Sequence, residues 1–221
     1  MIQTYLLAII SSPYYHTIFE GSSIQITTAG MGHLGAALGS QDFKKKYISD
    51  KVSKWIEVIE KLSEIAESQP HAAYSVYVHG YQHKFNYFLR TLDDIGEELR
   101  PLDEVITSKL IPSIVGSQLS EVERSLVSLP VRLGGMGIES PSSIASDEYS
   151  RSKQMTGPLA AIIALQGISL PDVNEVDQIR RVTFRQKSDA LKQKSVIFNR
   201  LESKEHPAGQ APFHSKNMVL H

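Results

Sequence analysis

The sequence predicts a mainly α fold, a helical bundle-like domain with a short N-terminal β strand or hairpin. Apolar residues recur at spacings of three and four along most of the chain after residue 40, which is the period of an amphipathic helix. Before them, residues 24 to 28 alternate apolar and polar side chains, and closely spaced glycines follow. With 221 residues, 41% of them hydrophobic and 21% charged, the chain can bury a core in one domain, or in one domain plus a tail.

The predicted β segment comes first. The β-branched types in Ile24-Gln25-Ile26-Thr27-Thr28 favour a strand, and the glycines at positions 30, 32 and 35 favour a turn, so we expect a short strand or hairpin here. The β structure should end near Gly39. Ser40 then provides an N-cap for a long helix. The apolar face of this helix consists of Phe43, Tyr47, Ile48, Val52, Trp55, Ile56, Ile59, Leu62 and Ala66.

A second helix is predicted to begin at Pro70, because proline is favoured in the first helical turn. Its inward stripe is largely aromatic and consists of Tyr74, Tyr77, Val78, Tyr81, Phe85, Phe88 and Leu89. Such a stripe is typical of a packed core; the alternative is that an exposed Tyr81 or Tyr87 stacks on a nucleobase. Gly80, inside this helix, indicates either a local kink or the close approach of another backbone.

The following helix is predicted from its prolines. We interpret Asp93-Asp94, beside Ile95, as a helix N-cap, and Pro101 as the first residue of the helix. Pro112 should end or bend it, since proline cannot donate the backbone hydrogen bond of a helix interior. The residues expected to point inward are Leu102, Val105, Ile106 and Leu110.

A short helix and a turn should follow. Ser120 and Glu123 form a capping box, which predicts a helix at residues 121 to 128 that Pro130 closes. Residues 133 to 138 are too rich in glycine for a regular element and have apolar ends, which predicts a buried turn.

The last third of the chain should contain two helices and a tail. We expect one helix at residues 143 to 155, broken by Gly157-Pro158, and a final basic helix at about residues 176 to 201. Residues 206 to 221 show no periodicity, and we predict that they are disordered.

Charge is unevenly distributed, although the formal net charge is −1 at pH 7. Residues 93 to 148 are mainly acidic, whereas residues 180 to 204 carry eight basic side chains against Asp189 and Glu202. The basic side chains are those of Arg180, Arg181, Arg185, Lys187, Lys192, Lys194, Arg200 and Lys204. A helix of this kind could contact phosphates, or its charges could simply be solvated, and the sequence leaves both open.

Composition excludes several classes of site. Cysteine is absent, which excludes disulfides, thiolate zinc sites and a cysteine nucleophile, and fits an intracellular protein, whether nuclear or cytoplasmic. The apolar run at residues 5 to 10 has no Lys or Arg before it and is too short for a secretory signal or a membrane span. We therefore expect a soluble protein that does not associate with membranes.

Three patterns resemble known ligand sites, but each lacks part of what the chemistry needs. Residues 30 to 35 match the glycine fingerprint of dinucleotide sites, yet no helix can develop before Gly39-Ser40. His79 and His83 have zinc-ligand spacing, but Gly80 stands where a metalloprotease has its glutamate. Asp93-Asp94 follows a helix instead of lying on a hairpin after an aromatic residue, as a polymerase metal pair does. No catalytic residue, metal or cofactor is therefore predicted.

Three further segments carry a longer pattern. They are Gly32-His33-Leu34-Gly35-Ala36-Ala37-Leu38-Gly39-Ser40, the stretch from Ser68-Gln69-Pro70-His71 through His79-Gly80 to Leu89-Arg90-Thr91, and Leu129-Pro130-Val131-Arg132-Leu133-Gly134-Gly135-Met136-Gly137-Ile138. Together they resemble the region after the catalytic palm in the reverse transcriptases of retrotransposon polyproteins. The resemblance covers approximately residues 24 to 200.

This resemblance implies a domain organisation. Residues 1 to 40 would be a remnant of the palm-edge β segment, 41 to 170 a helical domain similar to the thumb or connection, 171 to 205 a basic helix, and 206 to 221 a disordered tail. The fingers and the palm, with its metal-binding aspartates, have no counterpart. The chain is therefore expected not to be an enzyme, although the parent polyprotein would be an RNA-directed DNA polymerase.

The resemblance also implies a function, which is auxiliary binding of template–primer nucleic acid without sequence specificity. The candidate phosphate contacts are Lys84, Arg90, Arg132, Arg180, Arg181 and Arg185. The expected partners are an RNA/DNA duplex and the missing palm and fingers of the parent polyprotein. The alternative is a helical protein–protein interaction module, or an inert transposon relic, with no role in nucleic-acid binding.

Overall fold

The computed structural model describes residues 5–7, 21, 25–27, 29–167 and 170–205. It confirms the predicted mainly α fold with a short N-terminal hairpin. The strands are β1 (Tyr5–Leu7), β2 (Gln25–Thr27), β3 (Gly30–His33) and β4 (Ala36–Gly39). The α-helices are α1 (Gln41–Ser68), α2 (Pro70–Val76), α3 (His83–Thr91), α4 (Gly96–Val105), α5 (Ile111–Val115), α6 (Glu121–Val127), α7 (Pro141–Ala164) and α8 (Val173–Glu205). Two π-helical segments, Tyr77–Tyr81 and Ile106–Leu110, and a 3₁₀-helix, Val131–Leu133, complete the order.

The β structure is a parallel pair followed by a hairpin. β1 pairs with β2, with Tyr5 opposite Gln25, and β3 pairs antiparallel with β4, with His33 opposite Ala36. Leu34 and Gly35 make the two-residue turn with φ angles of 50° and 84°, the left-handed pair that fits the twist of a tight hairpin. As predicted, the described β structure ends at Gly39.

Helix α1 begins as predicted. The Ser40 hydroxyl accepts a hydrogen bond from the backbone N–H of Phe43, 3.3 Å away, and so satisfies one of the free donors of the first turn. The predicted apolar stripe faces inward: Ile48, Val52, Trp55, Ile59, Leu62 and Ala66 are buried, and the other members of the stripe are half-buried. Trp55 stacks at a tilt on Phe85, with ring centroids 4.9 Å apart.

The second predicted helix is split by a π-helical turn. Pro70 lies in the first turn of α2, as predicted, and the π turn Tyr77–Tyr81 contains Gly80. A Cβ on Gly80 would meet nothing within 4 Å, so no described backbone segment approaches this glycine closely. Of the two alternatives, the structure therefore agrees with a local distortion of the helix. Tyr81 is buried, which confirms the core interpretation for this side chain.

The interpretation of Asp93-Asp94 as an N-cap is wrong. Helix α4 is preceded by Ile95, which makes no side-chain cap. Instead, Asp93 lies 3.1 Å from the ammonium of Lys44, and Asp94 lies 3.4 Å from that of Lys45. Ion pairs with α1 therefore determine the direction of both carboxylates.

Two of the predicted proline boundaries, at Pro101 and Pro158, need correction. Pro101 does not begin α4 but lies inside it, and α7 continues through Pro158 instead of breaking there. A helical proline frees one carbonyl, four residues earlier. Those carbonyls belong to Glu97 and Gln154, both exposed, so water can bind them.

The predicted capping box and the predicted basic helix are both confirmed. The capping box of Ser120 and Glu123 is formed at the start of α6. Helix α8 covers the predicted basic helix and extends beyond it at both ends. The tail at 206 to 221 lies outside the described residues.

Helix α1 lies at the centre of the packing. It packs against α2, α4 and α5, while α7 covers α3 and α4, and α8 packs on α7 and α6. The largest fully buried side chains lie on α1, α3, α4, α5, the two π-helical segments and the loop between α3 and α4. They include Ile48, Tyr77, Phe85, Leu99 and Ile111. No helix within the described ranges is long and apolar enough to cross a lipid bilayer.

Candidate nucleic-acid interface

The six predicted phosphate contacts lie on three different elements. Lys84 and Arg90 belong to α3, Arg132 to the 3₁₀-helix, and Arg180, Arg181 and Arg185 to α8. Lys84 and Arg90 are six residues apart, so they point to different sides of α3, since a helix turns about 100° per residue. The structure therefore does not bring all six candidates into one patch.

Lys84 and Arg132 are isolated from the other candidates. The Lys84 ammonium lies 4.8 Å from the centroid of the Tyr81 ring, in a cation–π contact. Arg132 is exposed and makes no ion pair with any carboxylate in the part of the chain that the structure describes. Both side chains remain accessible to solvent.

Helix α8 presents a cationic stripe on its outer face. Thr183 is buried against the rest of the protein, which fixes the inner face of the helix. Arg181 and Arg185 lie on the opposite face, one turn apart, and Lys192 lies on that face two turns further on. We call Arg181, Arg185 and Lys192 the outer stripe; the sequence prediction contained its two arginines and missed Lys192.

Arg180 does not belong to the outer stripe. Its guanidinium lies 5.8 Å from the ring centroid of Phe184, on a different side of α8 from Arg181. Lys187, seven residues after Arg180, lies on the same side as Arg180 and next to α7.

Arg90 belongs to a group of three cations around one buried carboxylate. Glu148 Oε1 accepts a hydrogen bond from the Lys187 ammonium at 2.7 Å and lies 3.4 Å from a guanidinium nitrogen of Arg151. Its other oxygen accepts a hydrogen bond from Arg90 Nε at 3.4 Å. We call Arg90, Arg151, Lys187 and Glu148 the Glu148 cluster. It joins α3, α7 and α8 at a single point.

The sequence analysis missed the Glu148 cluster except for Arg90. A signal was present, because Glu148 lies three and four residues from Ala145 and Ile144, on the apolar face of the predicted helix. A carboxylate on such a face needs cationic partners in the fold, since an unpaired buried charge is costly.

The pKa of the Glu148 carboxyl lies below its ordinary value. Burial alone would raise this pKa, but the hydrogen bond and charge of Lys187, with the charges of Arg151 and Arg90, outweigh burial. The cations therefore keep Glu148 ionised at neutral pH.

This shift predicts that the Glu148 cluster is sensitive to acid. Because the folded pKa is depressed, the stabilisation from Glu148 is complete above the ordinary glutamate pKa of about 4.3 and is lost as the pH falls through the folded value. Urea unfolding at pH 7 should show Glu148→Gln to be less stable than wild type, and the difference should shrink at pH 3. A difference that is the same at both pH values would contradict this.

The segments at 68 to 91 and 129 to 138, far apart in sequence, contact each other directly. The contact is made by the Tyr74 hydroxyl, which donates to the carbonyl of Met136 at 2.8 Å. The first segment also contacts the hairpin turn, where the Tyr87 hydroxyl donates to the carbonyl of Leu34 at 2.9 Å. The hairpin is also held by the Tyr47 hydroxyl, 3.0 Å from the Gly35 carbonyl. The three tyrosine hydroxyls therefore bind backbone carbonyls. Tyr87 is exposed, but its hydroxyl already has a hydrogen-bond partner in the hairpin turn.

The glycine-rich turn at 133 to 138 is folded back on α6. The carbonyl of Val127 accepts from the N–H groups of Met136 and Ile138, at 3.1 and 3.2 Å. Gly135 is buried, as predicted for this turn, and a Cβ there would overlap the carbonyl oxygens of Leu129 and Leu126.

Half-buried polar side chains lie between this turn and α4. Arg124 donates to the Ile138 carbonyl at 2.9 Å and to the Thr107 hydroxyl at 3.1 Å, while Asp103 accepts from the backbone N–H of Ser142 at 2.9 Å. Burial raises the pKa of Asp103 and that of the Tyr77 phenol, and lowers that of Arg124. These groups connect the turn to the start of α7.

The alternative ligand sites gain no geometric support. The glycine fingerprint at 30 to 35 forms β3 and the hairpin turn, and β4 follows where a dinucleotide site has a helix. His79 and His83 are exposed, and no three His, Cys, Asp or Glu side chains of the described chain are grouped to hold a metal ion. A cleft between α3 and the start of α7, lined by Tyr77, His83 and Glu139 among others, has a volume of about 40 Å³, which suits water more than a nucleotide.

Comparison with known protein families, with curated proteins and with solved structures found no match for this chain.

Proposed function

We propose that this chain is a catalytically incomplete, post-palm helical region similar to that of retrotransposon reverse transcriptases, and that it binds nucleic acid without sequence specificity. The observation that carries this proposal is the outer stripe of α8. Its three cations face solvent on a helix anchored at Thr183 and Lys187. A row of side-chain cations along one helix face suits a phosphate backbone and offers no reading of base edges.

The scarcity of carboxylates beside the outer stripe also supports the proposal. Arg181 and Arg185 make no ion pair with any described residue, and only Lys192 of the stripe has a carboxylate nearby, that of Asp189 at 3.5 Å. The proposed partners are an RNA/DNA duplex and the palm and fingers of a longer polyprotein, which would hold the duplex jointly with this chain. The chain's own role is then positioning of the duplex, without a catalytic residue, metal or cofactor.

The test is binding of the purified chain to a labelled RNA–DNA duplex, followed by fluorescence anisotropy at several salt concentrations. Wild type should bind at low salt, and Arg181→Ala with Arg185→Ala should weaken binding about 10-fold. Because two phosphate contacts are removed, the slope of log K against log salt should become shallower by about 2.

The matched control is Lys54→Ala with Lys61→Ala. These lysines are exposed on α1, and their loss changes the net charge by the same amount. If both double variants weaken duplex binding equally, the effect comes from net charge alone, which would contradict a site on α8. No binding by folded wild type at low salt would refute the proposed function.

The alternative is a helical protein–protein interaction module, and one observation favours it. Exposed apolar side chains collect at the end of α7, where Ile163 is 67% and Leu165 is 82% exposed. An exposed apolar surface around residues 74 to 89 would also have favoured this alternative, but the aromatic stripe there is mostly buried, as predicted for a packed core. A folded protein that binds no duplex would leave this alternative, or an inert relic.

A further inference from the structure

The cations of the Glu148 cluster outnumber the carboxylates that they contact. Arg90, Arg151 and Lys187 share Glu148, and Arg151 has one additional contact, a 3.7 Å ion pair with the exposed Asp147. Among the described ion pairs, no other carboxylate contacts Arg90 or Lys187. One positive charge therefore remains unneutralised where α3, α7 and α8 meet.

The cluster is open on its cationic side. The Glu148 side chain is 6% exposed, whereas that of Arg90 is 52% and that of Lys187 is 36% exposed. Solvent therefore reaches the two cations and hardly reaches the carboxylate between them. One guanidinium nitrogen of Arg151, Nε, is buried without a hydrogen-bond partner among the described residues.

Guanidinium and ammonium groups that hold a carboxylate can also hold a phosphate. Both anions offer oxygen acceptors at similar distances, and arginine binds either with the same fork of donors. We infer that Arg90, Arg151 and Lys187 form a phosphate-binding site for the nucleic-acid backbone, and that Glu148 competes with the phosphate for these cations. The inference rests on the proposed function and adds a second contact region beside the outer stripe.

The geometry links this site to α8. Lys187 holds Glu148 from the side of α8 that faces α7, while Arg181 and Arg185 point away on the outer face. A duplex that reaches Arg90 and Lys187 therefore contacts α3 as well as α8. Since Glu148 repels phosphate, duplex affinity in the wild type is lower than the three cations alone would give.

The experiment compares duplex binding by Glu148→Gln with that of wild type, in the anisotropy assay. Glutamine keeps an oxygen acceptor for Lys187 and removes the charge, so affinity should rise about 5- to 20-fold and the salt slope should steepen by about 1. The control is Glu57→Gln, which removes one exposed charge from α1 and should change affinity less than about 2-fold. Equal affinity of the two variants, with Glu148→Gln shown to be folded by circular dichroism, would overturn the inference.

Arg90→Gln provides a second test if Glu148→Gln does not fold. It leaves Glu148 with Arg151 and Lys187, and should weaken duplex binding about 3- to 10-fold. Unchanged binding by folded Arg90→Gln would overturn the inference. If Arg181→Ala with Arg185→Ala still weakens binding in that case, the proposed function stands while the Glu148 site does not.

A competition arm separates two sources of phosphate. Inorganic phosphate is added to the complex of Glu148→Gln with the duplex, and chloride is added at the same ionic strength as a reference. Stronger displacement by phosphate than by chloride indicates that the cations accept any phosphate group, and equal displacement indicates that they need the duplex backbone. Either result agrees with a phosphate site provided that the affinity gain of Glu148→Gln is present.

Discussion

Arg124→Met should lower the free energy of unfolding by about 2 to 4 kcal/mol. The guanidinium is enclosed between α6, the π turn after α4 and the glycine-rich turn, and donates to the Ile138 carbonyl and the Thr107 hydroxyl. Its charge also acts on the half-buried Asp103. Methionine fills similar space but leaves the carbonyl without this donor and the half-buried carboxyl without a nearby cation, and both losses destabilise the folded state.

Urea unfolding followed by circular dichroism measures this effect. Arg100→Met is the matched control, because Arg100 forms an exposed ion pair with Glu97 three residues away, at 2.8 Å. Such a pair contributes no more than about 1 kcal/mol. If the two variants lose the same stability, Arg124 is not the support of the turn that its contacts indicate.

Gly135→Ala should lower the free energy of unfolding by about 2 to 4 kcal/mol. The added methyl group would overlap the carbonyl oxygens of Leu129 and Leu126, which belong to the backbone and cannot rotate away. The turn would have to separate from α6, and the hydrogen bonds from Met136 and Ile138 to the Val127 carbonyl would be strained. The cost is steric, since Gly135 is not among the residues with positive φ.

Gly80→Ala is the control for this substitution. A Cβ at Gly80 has open space and a helical backbone around it, so alanine should leave stability unchanged or raise it by up to about 1 kcal/mol. Thermal unfolding of both variants and of wild type measures these differences in stability. A Gly135→Ala protein as stable as Gly80→Ala would show that the turn is not packed as closely on α6 as described.

Gly135 and Gly80 show which features of a glycine position the local sequence pattern predicts and which it does not. Both were recognised as exceptions to a regular pattern, and the buried turn around Gly135 was predicted correctly. For Gly80 the sequence allowed a kink or a close backbone, and the structure decided for the local distortion. The two glycines differ in what lies next to them in space, which no local pattern contains.

The candidate interface was predicted in part for the same reason. A basic final helix could be predicted from composition and spacing, and helix geometry places Arg181 and Arg185 on one face. The predicted set nevertheless combined residues that the structure separates, such as Lys84 and Arg132. It also lacked Arg151 and Lys187, whose importance depends on Glu148, a residue on the apolar face of α7.

The sequence by itself determined the helical class, the hairpin, the Ser40 and Ser120 caps and the glycine-rich turn, because each depends on residues within a few positions of one another. The tertiary structure decided the partners of Asp93 and Asp94, the course of α4 and α7 through their prolines, and the Glu148 cluster. Arg90 meets Glu148 across 58 positions and Lys187 meets it across 39. Contacts of that separation form only when the helices pack, since burial of their apolar faces brings the charged groups together.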